Sequence, residues 1–379
     1  MSECTLIIPT YRRPAYVERA LQYYSLQGVG LYIILADAST SETRQVNANS
    51  VEQSTGTGLK VNHLELTSEP PSFAGQIYAA VQQVETPYTM FISDDDFVGR
   101  KFVESAVQHL ESAPQSAAVS GDRLGFRVKG DGARGKMMDL KMYAPVFHKE
   151  PTAIERILSM ERRCAARLQT FNLMDTVSRT AHCLEYAKIL IESRDLDPDW
   201  RVNGYTTLAT CVDELLKSFL TLSQGEVHAQ TGLNVGINGH SGQQGKAIFE
   251  RMDLLDVLTH PLWPRAWQFI CETGAKAVAR ADGCGVHEAR KAVESAAWTR
   301  LASGVNKTVR QRDFEVAELF LGGELAPQAG GYFFGRLARW LHGKTKRCAY
   351  ERTFMRGKLP KGGDYQLLKQ VVENSPSEN

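Results

Sequence analysis

Three consecutive carboxylates, Asp94, Asp95 and Asp96, follow the apolar run Tyr88-Thr89-Met90-Phe91-Ile92. The run is short and rich in β-formers, so it reads as a buried strand that ends on acids. An unpaired buried carboxylate is costly, so the three must reach solvent, basic groups or a cation. Hard oxygen ligands suit Mg²⁺ or Mn²⁺, and a cation here would serve a phosphorylated ligand. The plainer alternative is an acidic turn ahead of a helix that starts near Arg100. A second acidic pair, Asp213-Glu214, lies inside a helical run. A carboxylate there can take a proton from an attacking hydroxyl. Its plainer alternative is a surface ion pair of Asp213 with Lys217 one turn on, worth about 0.3–0.5 kcal/mol. His240 lies in a glycine-rich loop spanning residues 236–245. It is either a third metal ligand, a diphosphate donor or a lone surface histidine. His228 reads as an ordinary strand residue.

The elements around these residues alternate. Thr5-Leu6-Ile7-Ile8-Pro9 is an apolar strand, and Pro14 suits the first turn of the helix that follows. Leu31 to Asp37 is a second buried strand ending on an acid. Strand, helix and strand in so short a stretch make a βαβ unit, hence a parallel sheet. A weak helix is expected between Ser39 and Gly58, an alternating strand over residues 59–66, and a helix capped by Ser72 through Val84. After the acids come a helix over residues 102–110 and a strand at Ala117–Gly121. Gly121 to Lys136, glycine-rich and basic, reads as an exposed hairpin loop; a positive loop over an anionic ligand is the alternative. Helices are expected over residues 154–168, 181–191 and 206–222, and strands over 172–178, 227–228 and 233–235.

The chain has 379 residues, 43% of them hydrophobic, and a formal net charge of +1. A core of useful size is assured, and no global field points to nucleic acid. Seven cysteines, none in a Cys-x-x-Cys pair, argue against zinc ribbons and disulfide frameworks and for a reducing compartment. No signal peptide and no membrane-spanning run is evident, so the expected location is cytoplasmic. From Phe249 the strand signals stop and a helical part begins. Residues 333–358 join Phe333, Phe334, Trp340 and Leu341 to a basic run. This segment is a peripheral membrane contact at the inner face, a docking surface, or a packed helix with a solvated basic face. The expected division is 1–245, 246–325 and 326–379, the last a basic aromatic segment with a polar tail.

Taken together, the first 240 residues resemble the family 2-like glycosyltransferases of the GT-A fold. Thr5-Leu6-Ile7-Ile8-Pro9-Thr10-Tyr11-Arg12-Arg13-Pro14 is similar to that family's opening strand and turn, with Arg12 where Asn is more usual. Ala36-Asp37-Ala38-Ser39 resembles its second-strand Asp-x-Ser element. Ser93-Asp94-Asp95-Asp96-Phe97 resembles its Asp-x-Asp element, and Val212-Asp213-Glu214-Leu215-Leu216 stands in place of its later Glu-Asp element. The resemblance implies an α/β fold: a mixed, mostly parallel Rossmann-like sheet flanked by helices, with a mainly helical C-terminal part.

It also implies a metal-dependent, inverting transfer of sugar from a nucleotide-diphosphate sugar to a hydroxyl acceptor, whether a glycan, a lipid-linked glycan or a protein. Pro9, Thr10, Tyr11, Arg12 and Asp37 would hold the nucleoside, and Asp94 and Asp95 the ribose–diphosphate region. Asp96, with Asp94 and His240, would hold Mn²⁺ or Mg²⁺. Asp213 would be the base; because Val212 replaces the usual acid before it, Glu214 remains open for that role. Two other functions compete. One is a haloacid dehalogenase-type phosphatase with Asp94 as nucleophile and Asp96 as acid/base. The other is a non-catalytic binding protein on the same fold.

Overall fold

The computed structural model describes residues 3–28, 31–67, 73–129, 132–143, 145–165, 173–193, 207–238, 263–309 and 363–373. Strand and helix alternate at first: β1 (Cys4–Thr10), α1 (Pro14–Leu26), β2 (Tyr32–Asp37), α2 (Ser41–Thr55), β3 (Lys60–Glu65), α3 (Phe73–Val81), β4 (Tyr88–Phe91) and α4 (Arg100–Ser112). Then come β5 (Ser116–Val128), β6 (Met137–Tyr143), α5 (Ala153–Ala165), β7 (Val177–Arg179), α6 (Thr180–Glu192), α7 (Thr207–Gln224) and β8 (Glu226–Asn238). The helices α8 (Trp263–Asp282), α9 (Val286–Val309) and α10 (Gly363–Glu373) complete the described chain.

The strands form one sheet in the order β3-β2-β1-β4-β7-β5-β6, with β8 paired to β5. β3, β2, β1 and β4 are mutually parallel; β7 enters antiparallel between β4 and β5, and β8 runs parallel to β5. This is the mixed, mostly parallel α/β sheet with a helical C-terminal part that the sequence leads one to expect. The near-continuous apolar runs of β1, β2 and β4 have a simple cause: both faces of these strands are covered. Leu6, Ile8, Ile33, Leu35 and Met90 enter a cluster with residues of α1, α4 and α10. Ile7, Ile34, Ala36 and Phe91 enter a second cluster with residues of α3 and α6 and with Leu220 of α7. A third cluster joins α5, α7, α8 and α9.

Two stretches differ from expectation. Gly121 to Lys136 is not one long loop, because β5 continues to Val128 and pairs with β6. Leu124, Phe126 and Val128 alternate inward and are buried, a pattern diluted in the sequence by the intervening basic residues and glycines. Gly121 fits close packing rather than a turn, since a Cβ there would run into the Phe102 ring. The second difference is α10, within a stretch read as basic segment and tail. Tyr365, Leu368, Val371 and Val372 are buried in the same cluster as β1 and β4. The β5–β6 turn is tied to it, with the Gly135 N–H donating to the Val372 carbonyl at 2.8 Å. The basic residues 333–358 lie outside the described residues. Among the described residues no helix is long and apolar enough to cross a membrane, and Cys183, Cys271 and Cys284 are free thiols.

His148 bridges to β8 through its backbone, donating to the Val227 carbonyl at 2.9 Å and accepting from its N–H at 2.8 Å. Its ring is fully buried, and among the described residues neither ring nitrogen has a hydrogen-bond partner. Burial, helped by Arg163 and Arg156, lowers the imidazole to a pKa of about 3. The unfolded chain takes a proton near pH 6.5 and the folded chain does not, so stability falls as pH drops below 6.5. At pH 5 this single group is expected to cost about 2 kcal/mol. Urea melts of wild type and His148→Gln at pH 7.5 and 5 check it: the variant should lose less stability than wild type on acidification.

Candidate active site at the strand ends

In a parallel sheet the carboxyl ends of neighbouring strands lie along one edge, where open α/β sheets bind ligands. Here β2, β1 and β4 are neighbours, and they deliver Asp37, Thr10 and the 94–96 triad to that edge. The Thr10 hydroxyl donates to Asp94 Oδ2 at 2.7 Å. Arg13 spans two acids, with Nη1 on Asp94 Oδ1 at 2.6 Å and Nη2 on Asp95 Oδ2 at 2.9 Å. The Ser93 hydroxyl donates to Asp95 Oδ1 at 2.5 Å. From beneath, the fully buried Arg19 donates to the Asp95 carbonyl at 2.8 Å and to the Ala133 carbonyl in the β5–β6 turn.

Asp94 and Asp95 are 2% and 1% exposed; Asp96 keeps more exposure. Asp96 Oδ1 accepts the Asn238 backbone N–H at 3.0 Å, and its strand end is fixed by Phe97 pairing with Gly236 of β8. Burial raises the Asp94 carboxyl to about 6, with Arg13 opposing and Asp95 adding. Asp96 is pushed well above the usual carboxylate range by burial and then by its neighbours Asp95 and Asp175. Asp175, just before β7, is raised by burial and steadied by Arg123 of β5, whose Nη2 donates to it at 3.1 Å. Four carboxylates thus meet three guanidiniums, Arg13, Arg19 and Arg123. Like charges crowded in low dielectric favour a cation between them.

Within this cluster Asp96, bonded through Oδ1 to a backbone N–H, is the acid suited to a hard divalent ion. Among the described residues no group of three or more metal-binding side chains gathers, and His240, the expected third ligand, lies outside them. Asp94 has both oxygens engaged by Thr10 and Arg13. A buried, doubly bonded carboxylate is a poor exposed nucleophile, which weighs against the phosphatase reading.

Asp37 is fully buried. Its Oδ1 accepts the Ser39 N–H at 2.9 Å, while Oδ2 meets Asn47 Nδ2 at 2.7 Å and His63 Nε2 at 3.0 Å. Burial alone would raise it, but the bonds from His63, Ser39 and Asn47 prevail and hold it below the usual range. Asp37 therefore fixes the turn after β2 and the His63 ring. Between these ends, Pro9 and Tyr11 are partly exposed and Arg12 is exposed. Arg12 has φ 56° and donates its N–H to the Ser39 hydroxyl at 2.8 Å. A left-handed arginine costs about 1–2 kcal/mol, whereas Asn tolerates that region better. Tyr88 belongs to the core, and His228 stacks on His109 at 3.7 Å.

The Asp213 backbone lies in α7, and its side chain is outside the described residues. α7 returns along the sheet against the direction of β4, because Gly225 turns it directly into β8 beside the start of β5. Lys217 is not on the surface, as the ion-pair alternative required. It is 2% exposed, with Nζ 3.8 Å from Cys183 Sγ and 5.0 Å from the Phe91 ring centre. Asp213 occupies the same helix face one turn, about 6 Å, nearer the acidic edge. Glu214 is held by Arg300 of α9 through two bonds of 2.8 Å.

Sequence reasoning gave Asp94, Asp95, Asp96 and Thr10 their common edge. It did not assign Arg13, although the turn after β1 contains it, nor Arg19, Arg123, Asp175 and Asn238. The last three lie far along the chain and carry no local signal.

Residues 5–173 match the model of glycosyl transferase family 2. No curated protein matches the chain. Among solved structures, TarS of S. aureus is 16% identical with a TM-score of 0.42, covering 89% of this chain and 54% of that one. The chain thus spans about half the length of TarS. The mannosyltransferase PcManGT of Pyrobaculum calidifontis, in complex with GDP-Man and Mn²⁺, is 15% identical with a TM-score of 0.37, covering 91% and 86%. Glucosyl-3-phosphoglycerate synthase of Mycobacterium tuberculosis, in complex with Mn²⁺, UDP and its product, is 13% identical with a TM-score of 0.33, covering 75% and 81%.

Proposed function

From a chain whose residues 5–173 are a glycosyl transferase family 2 region, we propose a transfer of sugar from a nucleotide-diphosphate donor to a hydroxyl acceptor, with inversion and with Mn²⁺ or Mg²⁺. The observation that carries this reading is the meeting of β1, β2 and β4 at one edge, where Asp96 and Asp175 crowd beside the Arg13-bound pair Asp94 and Asp95. When bound, a divalent cation would offset charge developing on the departing diphosphate. Asp96 is its first ligand in this reading, with Asp175 as neighbour.

The chain's own residues do the rest. Arg13, which already bridges two carboxylates, presents a guanidinium at the rim suited to phosphate oxygens. Thr10 fixes Asp94 for the ribose. Asp37 shapes the nucleoside end through His63 and the following turn, and Tyr11 with Arg12 borders it. Asp213 takes the acceptor proton from the face opposite the leaving group, which gives inversion. A glycan, a lipid-linked glycan and a protein all offer the hydroxyl this requires.

Calorimetric titration of UDP-N-acetylglucosamine, UDP-glucose and GDP-mannose, with and without Mn²⁺, tests the proposal. One nucleotide class should bind, and only with metal. Failure of all three to bind in either condition would remove the donor-site assignment.

A further inference from the structure

α9 lies beyond residues 5–173, the stretch that matches the family model, yet it reaches the helix that carries Asp213. It is anchored on α5 first. Glu161, 6% exposed, accepts from the Ser295 hydroxyl at 2.9 Å and from the Thr299 hydroxyl at 3.0 Å. Trp298 is buried and packs on Trp267 of α8 with ring centres 4.4 Å apart. The next residue after Thr299 is Arg300. Its Nε and Nη2 each bond one oxygen of Glu214 at 2.8 Å, the parallel fork that fixes both distance and angle.

Residues 213 and 214 are about 100° apart around α7, so they serve different surfaces. Position 213 shares its face with Lys217 and Leu220, which pack on the sheet beside Phe91. Position 214 looks to α9. Both oxygens of Glu214 are taken up by the Arg300 guanidinium, which turns the carboxylate away from the face of position 213. Small displacements of a reacting group are costly in rate, since about 1 Å can lose a hundredfold.

We infer that Arg300 is a positioning residue for glycosyl transfer: its fork on Glu214 fixes the turn of α7 that bears Asp213, and Glu214 is a structural anchor, not the base. The inference rests on the transferase reading above and deepens it. It assigns the C-terminal helices a part in the chemistry without giving them a contact to substrate.

The test uses the full chain with Mn²⁺ and measures nucleoside diphosphate released from UDP- and GDP-sugars, with thermal melting alongside. Arg300→Met should lower kcat by about 10–100-fold while the donor KM stays within about twofold. Arg300→Lys, which keeps the charge and loses the fork, should fall between. Glu214→Gln should resemble Arg300→Met, and the double variant should be no worse than the poorer single one, because both act through one contact. Full kcat in Arg300→Met would overturn the inference. So would a thousandfold fall in Glu214→Gln beside a silent Arg300→Met, which would make Glu214 the base. A matched fall in donor affinity and melting temperature would show a merely structural role and also overturn it. If wild type releases no nucleoside diphosphate from any sugar nucleotide, the transferase reading fails and takes this inference with it.

Discussion

Asp96→Asn is expected to abolish Mn²⁺-dependent donor binding and to lower turnover about a thousandfold or more, while raising the melting temperature. The two signs come from one cause. Asp96 is pushed well above the usual carboxylate range by burial and by Asp95 and Asp175. A group whose folded pKa exceeds its unfolded value is protonated more readily when folded, so its ionised form at neutral pH opposes folding. Asn removes that charge and still accepts the Asn238 N–H at 3.0 Å through its amide oxygen. The gain is expected to be about 1–3 °C. The same charge is what a divalent ion would bind, and a bound cation supplies several kcal/mol of charge stabilisation to a departing diphosphate, at 1.36 kcal/mol per tenfold in rate. Asp95→Asn is the comparison. Asp95 is neutralised by Arg13 and bonded by Ser93, so its loss should leave metal-dependent binding measurable. Calorimetry and melting on the two variants decide it. Unchanged donor binding in Asp96→Asn would move the cation elsewhere.

The parts of this molecule that were legible in its sequence are those whose cause is local. β1, β2 and β4 declare themselves because strands covered on both faces must be apolar throughout, as Leu6, Ile7, Ile33, Ile34, Met90 and Phe91 are. Asp37 and the 94–96 triad were visible as acids where such strands stop. What stayed hidden was long-range. Asp175 acquires meaning only because β7 inserts antiparallel between β4 and β5, which sets it near Asp96. Arg123 looked like one basic residue in a loop, yet it lies on β5, 8% exposed, with Asp175 as its partner. α10 was overlooked for a different reason. Its apolar residues Tyr365, Leu368, Val371 and Val372 keep helical spacing, but a short amphipathic run after a long basic stretch gives no hint of the core it joins.

Lys217 shows how burial reverses a reading. Four residues after Asp213, it suggested a weak exposed ion pair. The structure places its ammonium inside, between the Phe91 and Tyr186 rings, with centroid distances of 5.0 and 5.1 Å. A buried cation near aromatic faces keeps far more of its field than an exposed one. Its position on the sheet-facing side of α7 puts that field one helical turn from residue 213.

Asp213→Asn is the second large effect expected. α7 runs against β4, and Lys217 lies over Phe91, the last residue of that strand. Four helical residues advance about 6 Å, so the backbone of residue 213 lies that far beyond Lys217 toward the helix start. A base carried there would serve an acceptor hydroxyl lying against a donor bound at the strand ends, whereas Glu214 is turned to Arg300. Removing a general base typically costs about 10²–10⁴-fold, so kcat should fall by that amount with donor affinity intact, since Asp213 takes no part in holding the donor. The pH profile separates this from a folding defect. Wild-type kcat should decline on the acid side as the base becomes protonated, and that limb should vanish in Asp213→Asn. A variant that keeps wild-type kcat and its acid limb would remove Asp213 from the mechanism, because no conservative amide can accept that proton in its place.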